Sequence, residues 1–181
     1  LMLVPILSRA ADAPAAVDPR IPDIGTFLNI GACTPAGFSH DGKDVYFTSS
    51  MSGASQVYRL MDGGWPYQLT TFEDGIDGFQ LSHDGLWGIV SASAGGNENA
   101  QLYLMDTTTG RLTQLTDRPK VQYGSVAWAR DDKSLFYRSN EANGTDFFIY
   151  RMDLATGTAT VVFDVTNGVK GFNYIAGMSA A

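Results

Sequence analysis

The sequence predicts an all-β fold: a partial β-propeller of about three four-stranded antiparallel blades plus the start of a fourth. Three observations predict it. A unit of 43 to 47 residues recurs three times, and each copy holds four short apolar or aromatic runs separated by turn chemistry. No stretch carries the 3.6-residue apolar period of a long helix. The composition agrees, with 20 glycines, 10 phenylalanines and 8 tyrosines among 181 residues. Aromatic side chains suit half-buried pleated faces, and glycines suit the turns between them.

Residues 1–20 stand apart. An apolar run from Leu1 to Leu7 precedes an Ala/Pro-rich segment with Ala-x-Ala spacing at Ala11 and Ala13. This reads as a signal-peptide remnant and linker, which places the protein in the periplasm or outside the cell. Seven apolar residues are too few to span a bilayer. The propeller portion is then 21–181, with blades at about 35–70, 79–116 and 126–164.

The copies align at several places. The first, from Phe38, reads "FSHDGKDVYFTSSMSGASQVYRLMDGGWPYQLT"; the second starts at Leu81 and the third at Trp128. Asp41, Asp84 and Asp131 fall in register, as do Tyr58, Tyr103 and Tyr150, and "QLT" ends at both Thr70 and Thr116. In each copy an apolar piece runs into an Asp-Gly or Asp-Asp turn. A second run follows at Val45 to Thr48, Gly88 to Val90 or Leu135 to Tyr137. A polar loop leads to a third run around the repeated tyrosine, and "MDGG", "MDTTTG" or "MDLATG" turns the chain into a fourth. Asp-Gly favours such hairpins because glycine reaches positive φ without steric cost. Phe38, Leu81 and Trp128 are register-equivalent, so they read as blade-to-blade packing, and Trp65, Trp87 and Trp128 read as core. Gly177 to Ala181 suits the opening strand of a fourth blade. Three blades do not close a ring, so the end blades should expose apolar surface and strand edges, and the segment alone should be marginally stable.

Several function classes are excluded. A net charge of −7 argues against nucleic acid, and no basic amphipathic stretch suggests a membrane surface. Cys33 is the only cysteine, has no partner for a disulfide or a zinc site, and reads as a small buried or half-buried side chain. The repeated Ser39-His40-Asp41-Gly42 and Ser82-His83-Asp84-Gly85 invite a catalytic reading. The third copy has Ala129-Arg130-Asp131-Asp132 in their place, which a turn tolerates and a triad does not. His40 and His83 lie on equivalent turns that radial blades should hold well apart, so no metal site is expected. No cofactor and no catalytic residue are expected either. The loops between second and third strands read "SSMSGAS", "SASAGGNENA" and "SNEANGTDF". Asn97, Glu98, Asn99, Glu141 and Asn143 on these loops are candidate contacts for a peptide's amino group or for a second domain. The same residue types are also ordinary loop chemistry.

The "S-x-D-G" turn, the "Q-x-Y-x-x-x-D" strand and the "GGWPYQLT" ending resemble the propeller repeats shared by TolB-like proteins and the prolyl oligopeptidase family. "QVYRLMDGGWPYQLT" and "RSNEANGTDFFIYRMD" are most similar to the N-terminal propeller of bacterial acylaminoacyl- or dipeptidyl-peptidase-like members of that serine peptidase family. The resemblance covers roughly Ile21 to Tyr174. It implies a propeller of seven or eight blades capping an α/β-hydrolase domain, whose Ser, Asp and His do the chemistry while the propeller admits peptides. The expected partners are therefore that C-terminal hydrolase domain of the same full-length protein, and peptide substrates. The chain departs from the family in lacking a Gly-x-Ser-x-Gly elbow. The nearest string is Gly177-Met178-Ser179-Ala180-Ala181, so these residues alone should have no peptidase activity. Two other readings stay open: a TolB-like envelope propeller that only binds proteins, and a propeller enzyme with its site in the central channel, such as a lactonase.

Overall fold

A computed structural model describes residues 32–62, 64–164 and 175–176. The signal-peptide remnant and the Gly177–Ala181 strand lie outside these residues. Twelve strands and no helix are present among the described residues, all within one compact unit, Gly31–Ala181. Blade 1 comprises β1 (Cys33–Phe38), β2 (Val45–Ser49), β3 (Gln56–Leu60) and β4 (Tyr67–Gln68). Blade 2 comprises β5 (Gly78–Leu81), β6 (Trp87–Ala92), β7 (Gln101–Asp106) and β8 (Leu112–Gln114). Blade 3 comprises β9 (Tyr123–Trp128), β10 (Ser134–Ser139), β11 (Phe148–Asp153) and β12 (Ala159–Phe163). In each sheet the strands are antiparallel and lie in chain order, as the repeat predicts.

The Ser-x-Asp pair builds the first turn of the blade. The Ser39 hydroxyl donates to Asp41 Oδ1 at 2.6 Å and accepts the Asp44 N–H at 3.0 Å, while the Lys43 N–H also reaches Asp41 Oδ1. Ser82 and Asp84 repeat the arrangement at 2.7 Å. The hydrogen bond from Ser39 is the main reason the Asp41 carboxyl sits below its ordinary value. Gly42 and Gly85 close these turns at φ of +72° and +71°, and the third turn holds the same conformation with Asp132 at +53°. Serine and aspartate are thus consumed in turn geometry, as the structural reading of the motif requires.

A second repeated pair ties each blade to its connection. The Gln56 amide donates to Phe72 O and accepts from Phe72 N, and Gln101 does the same with Arg118 O and N. Thr70 and Thr116 accept the N–H of Val57 and Leu102, each at 2.9 Å. These are the Gln of "Q-x-Y" and the Thr of "QLT". Blade 3 has Phe148 in place of the glutamine.

Packing between sheets makes two apolar seams. Val57, Val90 and Met105 meet between blades 1 and 2, with Ile76 from the connection. Ile89, Leu102, Trp128, Leu135, Tyr137, Tyr150 and Met152 meet between blades 2 and 3. Leu102 and Leu135 are wholly buried, each worth about 1.5–3 kcal/mol relative to exposure. Trp128 is buried and its Nε1 donates to Gln80 O of blade 2 at 3.0 Å. Leu81 presses on Gly37 of blade 1 so closely that a Cβ there would stand 2.8 Å from its Cδ2. Phe38 is 63% exposed, with no earlier blade among the described residues to receive it. Two tryptophans correct the core reading: Trp65 is 83% and Trp87 39% exposed. Trp65 lies in the turn before β4 and Trp87 is the first residue of β6, so neither reaches a seam. Cys33 is exposed at the start of β1, not buried or half-buried.

Candidate functional site

Because the strands alternate in direction, the first and third turns of every blade gather at one end. The second loops and the interblade connections gather at the other. At the loop end a cleft of about 350 Å³ opens between blades 2 and 3, lined by Asp77, Ser93, Asn97, Glu98, Tyr123, Ser125 and Arg138 among others. A second cavity of about 340 Å³ shares Asp77, Ser91, Gly124 and Ser125 with it and continues past Val126 to Ile175.

Ser125 shapes the cleft wall. Phe136 pairs with Ala127 but Arg138 pairs with Gly124, so β9 carries a bulge there, and Ser125 adopts φ +46°. A non-glycine residue in this region stores strain on the order of 1 kcal/mol. The Arg138 guanidinium lies over the Phe147 ring at 5.0 Å, and burial pulls its pKa down from the ordinary arginine value. It remains a cation at neutral pH. Across the cleft the Asp77 carboxylate accepts a hydrogen bond from Ser93 Oγ at 3.2 Å. Glu98 is exposed at the rim. The cleft therefore carries carboxylates and a partly desolvated guanidinium on opposing blades.

The five residues singled out from the sequence divide. Asn97 and Glu98 line the cleft. Asn97 also braces its own loop, its Oδ1 accepting the Asn99 N–H at 2.7 Å and its Nδ2 reaching Ala94 O. Asn99 turns to the connection and donates to Pro119 O at 3.0 Å. Asn143 Oδ1 accepts the N–H groups of Thr145 and Asp146, and its Nδ2 reaches Asp146 Oδ2. Glu141 sits behind Tyr123, which donates to it at 3.1 Å, with Tyr137 OH at 3.5 Å and Arg118 Nη1 at 3.5 Å. Burial first, and the Glu141 charge second, push the Tyr150 phenol up to about 12 and those of Tyr123 and Tyr137 higher still. Asp77, Ser125 and Arg138 were not singled out from the sequence. Arg138 occupies the register position of Thr48 and Ser91, and that replacement of a small hydroxyl residue by a cation was the available signal.

At the turn end, the expectation that equivalent turns stand well apart is wrong. A Cβ on Gly85 would lie 2.6 Å from Phe38 O and 2.8 Å from His40 N, so adjacent turns touch. His40 Nδ1 is 2.9 Å from Asp84 O, and His83 Nδ1 is 2.7 Å from Asp132 Oδ1. Each imidazole is thus spent on the next blade. Among the described residues no group of three or more His, Cys, Asp or Glu side chains is arranged to hold a metal ion. No helix among them is long and apolar enough to cross a membrane.

Comparison with solved structures gives the class: these are β-propeller blades. A putative TolB from Agrobacterium tumefaciens superposes with a TM-score of 0.58 and 21% identity, over 73% of this chain and 49% of that one. A prolyl endopeptidase gives 0.60 at 16% identity over 75% and 23%, and an oligogalacturonate lyase from Vibrio parahaemolyticus 0.57 at 19% over 74% and 41%. The chain spans half or less of the length of these proteins. TolB proteins and prolyl endopeptidases stand together among the neighbours, the two groups whose repeats the sequence resembles. No protein-family model and no curated protein matches the sequence.

Proposed function

We propose that the chain is the N-terminal propeller part of an exported serine peptidase of the prolyl oligopeptidase family, where it gates peptide access to an α/β-hydrolase domain. The cleft between blades 2 and 3 carries this reading. A peptide brings an ammonium, a carboxylate and a polar backbone, and the cleft sets Asp77 and Glu98 against Arg138 with hydroxyl and amide groups between them. In this reading Asn97 and Glu98 meet substrate. Asn99 and Glu141 hold the connection and the loop in place, and Asn143 shapes the adjoining loop at the boundary with the hydrolase domain. A second reading, a TolB-like envelope propeller that binds proteins without catalysis, draws support from the putative TolB's 21% identity, against 16% for the prolyl endopeptidase.

The gene beyond Ala181 tests the choice. The peptidase reading expects a Gly-x-Ser-x-Gly elbow downstream with Asp and His after it. It also expects short-peptide hydrolysis by the encoded protein, with Glu98→Ala raising KM more than it lowers kcat. A frame that closes without an elbow overturns this reading and leaves the binding propeller.

A further inference from the structure

We propose that the cavity between the first turns of blades 2 and 3 binds a small organic carboxylate, with Arg130 as the residue that holds the anion. The cavity has a volume of about 560 Å³ and is lined by Gln80, Leu81, His83, Ala127, Trp128 and Arg130. That size is ordinary for a small-molecule site. It lies at the turn end, opposite the loop-end cleft, so the proposal stands for a peptidase gate and for a binding propeller alike.

Three polar groups stand open on this cavity. The turn that carries Arg130 does not need its side chain. The Asp132 N–H donates to Ala129 O at 3.0 Å, the Ala129 N–H to Ser134 O at 2.9 Å, and the Lys133 N–H to Asp131 Oδ1 at 3.0 Å. Arg130 is exposed, and among the described residues its guanidinium has no hydrogen bond or ion pair. Gln80 gives its carbonyl to Trp128 Nε1 at 3.0 Å, while its side-chain amide takes no partner among the described residues. Asp132 Oδ1 lies 2.7 Å from His83 Nδ1, which orients the ring and leaves Nε2 as the open nitrogen.

The sign of the lining selects the ligand. The chain has 19 acidic against 12 basic side chains, yet among the described residues no carboxylate lines this cavity. The neighbouring Asp132 carboxylate is already matched by His83 N, His83 Nδ1 and Asp84 N. The equivalent cavity between blades 1 and 2, about 490 Å³, has His40 and His83 in its wall together with Asp84, and no arginine. The loop-end cleft sets Asp77 and Glu98 beside Arg138. Of the three, this cavity alone offers a permanent cation with no carboxylate in the wall. A guanidinium grips a carboxylate through two parallel N–H···O bonds. Leu81 and Ala127, both half-buried, and the Trp128 ring, whose N–H is already bonded, give a short aliphatic body an apolar floor. An inorganic anion has no such body, so the ligand is an organic acid, either free or as the C-terminus of a peptide.

Calorimetric titration of the encoded protein with N-acetyl-leucine tests the proposal, with the Trp128 indole N–H followed by NMR to place the ligand. Binding at about a millimolar or tighter is expected, with the Trp128 signal shifting as the site fills. N-acetyl-leucinamide, with the same body and no charge, should bind roughly tenfold or more weakly. Arg130→Ala should lose about the same factor and Arg130→Lys, which keeps the charge without the planar fork, a smaller one. Arg111→Ala, at an exposed arginine of blade 2 that does not line the cavity, should lose nothing. The peptide Ala-Ala-Leu, added after fluorophosphonate treatment to block hydrolysis, separates the two sources. Tighter binding than N-acetyl-leucine, lost on C-terminal amidation, assigns the carboxylate to a peptide terminus, and equal or weaker binding assigns it to a free acid. Either result keeps Arg130 as the anchor. Equal binding of acid and amide, no binding of acid or peptide at about ten millimolar, or an Arg130→Ala variant that binds like the parent would each overturn it. The comparison of acid with amide needs no variant, so it decides the matter even where Arg130→Ala does not fold.

Discussion

The two seams are made from the same repeat by different means. Between blades 1 and 2 the backbones approach until Gly85 has no room for a side chain, and long polar residues reach across. Tyr46 OH donates to Thr107 O, Arg59 donates to Thr108 O, and His40 meets Asp84 O. The buried apolar cluster is the smaller of the two, Val57, Ile76, Val90 and Met105, with Leu69, Phe72, Phe79, Tyr103 and Leu112 packed against it. Between blades 2 and 3 an aromatic cluster fills the seam, and Asp132 stands at the glycine position so that its carboxylate clasps the turn before it. One position in one turn, glycine or aspartate, thus decides whether backbone contact or charge closes the top of a seam.

Alkali should separate the two seams most strongly. Tyr123, Tyr137 and Tyr150 all belong to the cluster between blades 2 and 3, and burial raises all three phenols above the ordinary value of about 10. A group whose folded pKa is raised binds its proton more tightly when folded. The stability gained by keeping these phenols neutral is therefore whole below about pH 10. It is lost as pH climbs through about 12, where Tyr150 ionises in the folded state. Phenolate absorbance followed beside hydrogen exchange should show late tyrosines ionising as blades 2 and 3 come apart. If all the tyrosines titrate together near pH 10 in a chain that stays folded, the aromatic seam is not the dry cluster described.

Substitution at three register-equivalent positions comes next. Trp128→Ala removes a buried indole and its bond to Gln80 O, and should cost about 3–5 kcal/mol in urea unfolding. Leu81→Ala, half-buried against Gly37, should cost roughly 1–2 kcal/mol, less than a fully buried leucine. Phe38→Ala, 63% exposed, should cost less than about 0.5 kcal/mol. Equal losses at the three positions would mean that the seams are not distinct.

Much of this arrangement was legible in the sequence, because a repeat prints its architecture several times. The Asp-Gly turns, the tyrosine register and the four runs per unit located twelve strands and their order. The "Q-x-Y" and "QLT" residues were visible as a pattern, and their job became clear only when Gln56 and Gln101 were seen holding Phe72 and Arg118. The site was less legible. Asn97, Asn99 and Asn143 look available for binding in a one-dimensional sequence, yet all three form bonds within their own loops or to the neighbouring connection. The cleft joins Asp77 to Arg138, 61 residues apart in the chain, and depends on a bulge at Ser125 that no local propensity marks. The touching turns were missed for a related reason. Register shows which residues are equivalent but not how near equivalent residues stand.

The charge clasp gives a smaller effect than Trp128. Asp132→Asn keeps a residue that tolerates positive φ but removes the charge that three donors share, so it should cost roughly 1–3 kcal/mol. The loss should appear as faster exchange at His83 and Asp84 rather than at His40. A stability change under about 0.5 kcal/mol would show that apolar packing alone closes this seam.

The smallest effect belongs to the other seam and isolates one hydrogen bond. Tyr46 is 1% exposed and donates to Thr107 O at 3.0 Å, and Thr107 is itself 1% exposed. Tyr46→Phe leaves the ring packing intact, since Phe136 already occupies the equivalent place in blade 3. It strips a buried carbonyl of the tyrosine donor that closes the reach from blade 1, at a place water does not enter. The expected cost is about 1 kcal/mol, within the usual range for a buried neutral hydrogen bond. Combining it with Arg59→Ala, which removes the neighbouring bond to Thr108 O along with the ion pair to Asp44 within blade 1, should cost more than the sum of the two single losses, because either bond alone holds the same turn against blade 1 and the loss of the Asp44 pair is common to the single and double variants. Strict additivity would mean that the two reach across the seam independently, and that backbone contact at Gly85 sets its geometry without them.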